Sequence, residues 1–242
     1  SDNNLEFKME LTWHGHSSFS ITFSGIKIII DPFFTGNPKF GDQDIEKIIS
    51  GLTHIALTHG HNDHVGDTIE IAKKTNAEII ANADLCSYLK TKGLNKFNQG
   101  NTGGTIIYEQ FSVTFVQAHH SSATVDQNGV SHSLGHSNGL VFHIKDEKTI
   151  YHMGDTDIFG DMKLIQELHT PDIGIVPIGD RFTMGGAVAA LSCKRFFNFS
   201  KIVPCHYGTF PLIDQTPEKF ISAMEEDASK VIEFSVGQTI SF

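Results

Sequence analysis

The chain has 242 residues, 39% hydrophobic and 19% charged, the composition of one large globular domain with apolar mass for a sizeable core and no disorder signature. Its formal net charge of −10, from 28 acidic and 18 basic residues, works against a broad nucleic-acid-binding face. Cys86, Cys193 and Cys205 are odd in number, far apart and outside any CxxC pattern, which argues for reduced, buried thiols and against a disulfide framework or zinc knuckle.

No apolar run approaches the roughly 18 residues a membrane span needs, and the N-terminus lacks the basic and apolar regions of a signal peptide. A cytoplasmic protein is the first expectation. The chain starts at Ser1 rather than Met, so residues 1–8 read as a leader or tag remnant, and a periplasmic or exported protein is the alternative.

Apolar segments at 9–13, 19–23 and 26–30 read as a β-meander: Phe19-Ser20-Ile21-Thr22-Phe23 alternates like a half-buried strand, and Ser24-Gly25 supplies the turn. Ile28-Ile29-Ile30 is apolar throughout, as in a strand covered on both faces, and stops at Asp31-Pro32. A short helix is expected over 42–50 and a strand over 54–58. Asp67-Thr68-Ile69-Glu70 reads as a capping box opening a helix to about residue 74. Strand 77–81, helix 84–92 and a turn at Asn101-Thr102-Gly103-Gly104 continue the alternation. Strands at 105–108 and 113–117 end at Ala118-His119-His120, and the aperiodic polar segment to Asn138 reads as a long, site-lining loop. Strands at 140–144 and 149–153 precede Gly154-Asp155-Thr156. A helix over 161–169 with Asp161 at its start, a buried strand over 173–178, an apolar helix over 185–197 and a strand over 201–204 lead to Cys205-His206-Tyr207. Thr216-Pro217-Glu218 opens the last helix, with threonine at the cap and proline at its first position, before closing strands at 231–234 and 238–242.

The densest chemical signal is Thr58-His59-Gly60-His61-Asn62-Asp63-His64-Val65-Gly66-Asp67. Directly after the apolar Ile55-Ala56-Leu57, one tight turn offers three imidazoles and a carboxylate, a donor set suited to zinc, manganese or iron. Other strands also end in candidate ligands: His119 or His120, Asp155 and His206. Residues just past strand ends gather along one edge of a layered α/β fold, so these remote segments are expected to converge.

His59-x-His61-x-Asp63-His64 resembles the signature of the metallo-β-lactamase fold superfamily. Together with Gly15-His16-Ser17-Ser18-Phe19, Asp31-Pro32-Phe33, His120-Ser121-Ser122, Gly154-Asp155-Thr156, Pro177-Ile178-Gly179, Phe182-Thr183-Met184-Gly185 and His206-Tyr207, nearly everything from Met9 onward is similar to a bacterial and archaeal family of metal-dependent hydrolases. That family is allied to the ascorbate-6-phosphate lactonases and, more distantly, to N-acylphosphatidylethanolamine phospholipase D. The resemblance implies a single-domain α/β fold, a four-layer αββα sandwich, with a dinuclear site. His59, His61 and the histidine after strand 113–117 would hold the first metal, Asp63, His64 and His206 the second, and Asp155 both. It implies two divalent ions, zinc ahead of manganese or iron, that generate a hydroxide at about pH 7 from a bridging water, with Asp63 or Asp155 carrying the proton. The family places its ligand directly before Ser-Ser, which selects His120, and strand alternation then turns His119 away. Asp31 matches an aspartate that orients a ligand histidine; its other reading is a turn residue before proline.

His16 either reaches the site as a catalytic group or is a turn histidine bonded to backbone. His136, in Gly135-His136-Ser137-Asn138-Gly139 where the close family more often reads Gly-Asn-Pro-Ala-Gly, is the other catalytic candidate. Arg181, ahead of Gly185-Gly186 at a helix start, and Tyr207 are the candidate substrate contacts, Arg181 being suited to a phosphate or carboxylate. His14, His54, His132, His143, His152 and His169 read as structural or surface residues. The expected reaction is hydrolysis of a small, anionic ester, lactone or phosphoester without a serine or cysteine nucleophile. One alternative is a phosphodiesterase or nuclease of the ribonuclease Z type, whose basic exosite and RNA-binding arm are not visible. Another is a non-catalytic metal-binding sensor, which the loss of a ligand would favour. Iron redox chemistry is disfavoured because flavodiiron relatives carry a glutamate where His61 stands. A small-molecule substrate is expected, with no nucleic-acid partner, and related lactonases assemble, so a homo-oligomer is a further expectation.

Overall fold

Two sheets carry the fold in the computed structural model, which describes residues 8–242; residues 1–7 of the expected leader or tag remnant lie outside the described residues. The first sheet has seven strands in the order Thr239–Ser241, Glu10–Gly15, Ser18–Phe23, Ile26–Ile30, His54–Ala56, Glu78–Asn82 and Phe97–Gly100. The second has six, in the order Lys201–Cys205, Ile173–Pro177, Ile150–His152, Asn138–Ile144, Phe111–Gln117 and Thr105–Ile107.

Side-chain alternation along the central strands creates the layers. Ile28 and Ile30 join Phe115, Leu140 and Phe142 of the second sheet in one core, whereas Ile29 joins Ile55, Leu57 and Ile79 in another. That second core is completed by Ile71 of helix Thr68–Thr75 and Leu85 and Leu89 of helix Ala83–Lys90. Helices Met162–His169, Gly186–Phe196 and Glu218–Met224 contribute Met162, Ala189, Cys193 and Phe220 to the larger core. The succession of helix, sheet, sheet and helix is the expected αββα sandwich.

The strands that deliver the chemistry run the same way. Ile26–Ile30, His54–Ala56 and Glu78–Asn82 are parallel in the first sheet, as are Ile150–His152, Ile173–Pro177 and Lys201–Cys205 in the second. Two antiparallel steps return Phe111–Gln117 to the direction of Ile150–His152. Asp31, Thr58, His120, Asp155 and His206 therefore leave their strands at C-terminal ends, where such folds build sites. Some exits require unusual backbone: φ is +49° at Asp31, +56° at His206 and +67° at Gly154. A Cβ at Gly154 would lie 2.4 Å from the carbonyl oxygen of Asn138, so only glycine fits. For Asp31 and His206 the left-handed conformation costs on the order of 1 kcal/mol or more each, held by the surrounding fold.

Several local expectations change. Asp67 makes no side-chain cap; its Oδ2 instead accepts from the N–H and hydroxyl of Thr35, at 3.1 and 2.9 Å. The polar segment before Asn138 contains a hairpin, Ala123–Val125 with Ser131–Ser133, and Phe97–Gly100 is an edge strand without alternation to announce it. Residues 231–234 are not a strand: Val231 makes an isolated bridge to Ile202, and the single closing strand is Thr239–Ser241. Within the histidine motif, Asn62–Val65 forms one helical turn. Among the described residues no helix is long and apolar enough to cross a membrane.

Candidate metal centre

The turn after His54–Ala56 and the helical turn Asn62–Val65 aim their polar side chains at the second sheet. His59, His61 and His120 each bring a ring nitrogen within 4.8 Å of the others; Asp63, His64, His206 and His16 form a second such group. Asp155 lies between them. Its Oδ2 is 3.7 Å from His59 Nε2, 3.4 Å from His120 Nε2, 3.0 Å from His64 Nε2 and 3.1 Å from His206 Nε2. One carboxylate oxygen thus touches donors of both groups and from both sheets.

Hydrogen bonds behind the rings decide which nitrogen faces the centre. Thr58 donates its hydroxyl to Asp31 Oδ2 at 2.6 Å and its N–H to Oδ1 at 2.9 Å, so its oxygen is left to accept from His59 Nδ1 at 2.9 Å. Asp31 Oδ2 also accepts from His64 Nδ1, at 2.7 Å. Both rings therefore carry hydrogen on Nδ1 and present Nε2 to the centre. There His59 Nε2 meets His61 Nδ1 at 3.1 Å, and His64 Nε2 meets Asp155 at 3.0 Å and Asp63 at 3.5 Å. Lone pairs aimed at one another and at carboxylate oxygens repel unless a proton or a metal ion stands between them.

Burial strengthens that requirement. Asp155 Oδ1 and both ring nitrogens of His206 are buried without a hydrogen-bond partner, a costly state for polar atoms. Without metal, protons fill the gap: burial opposes charge on His64 and His206, but Asp155 and Asp63 raise His64 well above its ordinary range and His206 to about 9. Burial and the charge on His64 hold His59 and His61 below their ordinary values, and burial above all does so for His120. These three are neutral, as metal ligands must be. Burial pushes the carboxyl groups of Asp63 and Asp155 up, yet the facing histidines, His64 and His16 for one and His206 and His64 for the other, keep both ionised. Neutral imidazoles with two carboxylates fit a divalent cation of the zinc, manganese and iron class.

His16 belongs to this centre. Its buried ring lies 4.0 Å from that of His206, with Nε2 2.9 Å from Asp63 Oδ2 and Nδ1 2.9 Å from Thr209 Oγ1. Burial, then the charge on His206, lowers it to about 4, so it holds Asp63 as a neutral donor. His119 stacks on Phe159 at 4.8 Å, whereas His120 Nε2 lies 3.4 Å from Asp155 among the other donor atoms. His136 lines a neighbouring cavity of about 620 Å³ with Gln117, His119 and Ser137; that cavity shares His120 with the centre, but His136 does not line the space above the other donors. Two expected substrate contacts are corrected. Arg181 is exposed outside that space, because the loop 179–185 folds as a hairpin that presents Phe182 there instead. Tyr207 is buried against Trp13, with ring centroids 5.4 Å apart.

The fold also brings in several residues to which no sequence motif assigns a role. Thr58 and Thr209 hold His59 and His16, Ser121 Oγ is 3.3 Å from His61 Nε2, and Ser122 Oγ accepts from Gly60 N–H at 3.0 Å. Their polarity beside ligand positions was the available signal. Nothing comparable marks Phe210 and Leu212, which wall the cavity above the donors.

A family model described as a beta-lactamase superfamily domain matches residues 10–206. The chain is 60% identical over 234 residues to a metal-dependent hydrolase of Agrobacterium fabrum, spanning 97% of this chain and 100% of that one. It is 57% identical over 235 residues to one of Brucella abortus, spanning 97% and 99%. Among solved structures it is similar to Igni18, a novel metallo hydrolase of the hyperthermophilic archaeon Ignicoccus hospitalis, with TM-score 0.84, 30% identity and coverage of 97% and 98%. An isothiocyanate hydrolase from Delia radicum gut bacteria shares the fold, with TM-score 0.75, 19% identity and coverage of 97% and 99%.

Proposed function

The chain belongs to the beta-lactamase superfamily, and on that footing we propose that it is a metal-dependent hydrolase that uses two divalent ions, zinc foremost. The observation that carries this reading is the position of Asp155 Oδ2 among His59, His64, His120 and His206. His59, His61 and His120 would hold one ion and Asp63, His64 and His206 the other, with Asp155 shared. Ions bound there supply Lewis acidity, which lowers the pKa of water to roughly 7 and polarises the bond to be cleaved.

The chain's own residues orient and move protons. Asp63 is partly exposed and reaches the cavity, so its carboxylate is placed to take a proton from the attacking water and return it to the leaving group. His16 Nε2–H holds that carboxylate, and Thr209 donates to His16 Nδ1 to keep the ring in this tautomer. Asp31 and Thr58 fix the other tautomer in His64 and His59, each accepting from the ring's Nδ1–H. A cysteine nucleophile is disfavoured, since all three cysteines are buried and burial raises the Cys86 and Cys193 thiols to about 12.

Metal analysis joined to a hydrolysis screen over lactones, thioesters and phosphodiesters tests this reading. Two metal equivalents per chain and turnover abolished by chelation and restored by metal are expected. Sub-stoichiometric metal after both aerobic and metal-supplemented purification, with no turnover, would sink it.

A further inference from the structure

Over the donor atoms lies a cavity of about 480 Å³, floored by His61, Asp63, His120, Asp155 and His206. Apart from Ser121 beside His120, its walls are apolar: Phe182 from the loop 179–185, and Phe210, Pro211 and Leu212 from the loop that follows His206. Phe182 is 51% and Leu212 59% exposed. Two large apolar side chains left in water beside the most polar centre of the chain mark a surface that another apolar group covers.

The walls are held in place. Asp180 and Arg181 adopt φ of +63° and +66°, and Asp180 N–H donates to Met184 O at 3.0 Å, which puts Phe182 in the turn of a short hairpin. Asp214 N–H donates to Gly179 O at 2.8 Å and ties the two loops together; Gln215 Nε2 donates to Phe210 O at 2.8 Å. Phe210 meets the ring of His16 edge-on at 5.1 Å, so the apolar wall continues to the group that holds Asp63. Among the described residues no lysine or arginine lines this space.

We propose that this cavity receives an apolar alkyl or aryl group of the substrate, attached to the bond that is cleaved, and that Phe182, Phe210 and Leu212 set the preference for it. The identity of the reacting bond rests on the hydrolase reading above; the apolar pocket does not. The volume falls in the range of about 300–1,000 Å³ typical of small-molecule sites. A charge at the far end of the substrate would find no counter-ion, so the anionic character expected from sequence is confined to the reacting end.

The test uses the full chain reconstituted with zinc and n-alkyl series of lactones, thioesters and phosphodiesters, each paired with counterparts carrying a terminal carboxylate. Values of kcat/KM are expected to rise about threefold or more per methylene over the first few carbons, with the carboxylates about tenfold or more poorer. Phe182→Ala and Leu212→Ala should flatten that slope, Phe182→Leu should restore it, and Leu212→Arg should improve the carboxylates about tenfold. In parallel, the metal-free chain is titrated with the neutral fluorophore N-phenyl-1-naphthylamine, whose saturable binding the two alanine substitutions should weaken. A flat slope, a preference for the carboxylates, or probe binding indifferent to the substitutions overturns the pocket. Probe binding weakened by them, with no turnover of any compound, supports the pocket and removes the hydrolase reading instead.

Discussion

Asp31 holds His64 by a 2.7 Å hydrogen bond to Nδ1, on the face of the ring away from the centre, and thereby turns Nε2 toward Asp155 at 3.0 Å. Asp31→Asn would offer an amide where a carboxylate now accepts from His64 and Thr58 together. Metal affinity is expected to fall about 10- to 100-fold, read by competition with a chromogenic chelator. Unchanged affinity would return Asp31 to the role of a turn residue.

His120 and His119 are adjacent but face different surroundings, one toward Asp155 at 3.4 Å and the other onto Phe159. His120→Ala is expected to lower bound metal by about one equivalent per chain and to abolish turnover, whereas His119→Ala keeps full occupancy. Elemental analysis of the two purified variants decides it. The reverse pattern would exchange their roles.

Gly154 sets the direction of Asp155 from a φ of +67° with Asn138 O where a Cβ would go. Gly154→Ala should destabilise the protein by about 2 kcal/mol or more, combining backbone strain with displacement of the Asn138 carbonyl. Urea unfolding measures this. A variant as stable as the parent would mean that the turn relaxes freely.

Burial holds His14 down to about 4, against its hydrogen bond to Gln43. The unfolded chain takes up this proton near 6.5 and the folded chain only near 4, so the stability contributed is complete above 6.5 and lost as pH falls toward 4. Between pH 7 and pH 5 the loss is about 2 kcal/mol. His14→Gln should lack this segment of the curve, as seen by comparing unfolding free energies of the two metal-free proteins at both pH values. A parent-minus-variant difference independent of pH would assign the titration to other groups.

The gathering of the seven candidate residues at one edge was legible because each stands just past an apolar strand with a readable pattern, and parallel strands share the edge at which they end. Phe97–Gly100 and the hairpin at 123–133 are hidden because their strands are only three or four residues long, too short for a period to stand out. Asp67 satisfied the local rule for a cap, but Thr35, 32 positions away, competes for the same carboxylate through tertiary structure. Phe182 and Leu212 were hidden differently. In a sequence a large apolar residue reads as core, and only the fold shows these two exposed beside ionised groups.

Thr12 and Thr239 meet hydroxyl to hydroxyl at 2.6 Å although 227 positions apart, where Thr239–Ser241 closes the edge of the first sheet against Glu10–Gly15. On the ribosome, Glu10–Gly15 must wait for Thr239–Ser241 to be made. Pairing over such a distance is slow, since the entropy of closing the loop is lost before contacts compensate it. Meanwhile the open flank of Glu10–Gly15 is a template for a strand from another molecule. Successful folding is therefore a kinetic contest between Thr239–Ser241 and strands of neighbouring molecules, one that dilution, or a chaperone shielding the nascent sheet, would tilt toward the intramolecular pairing.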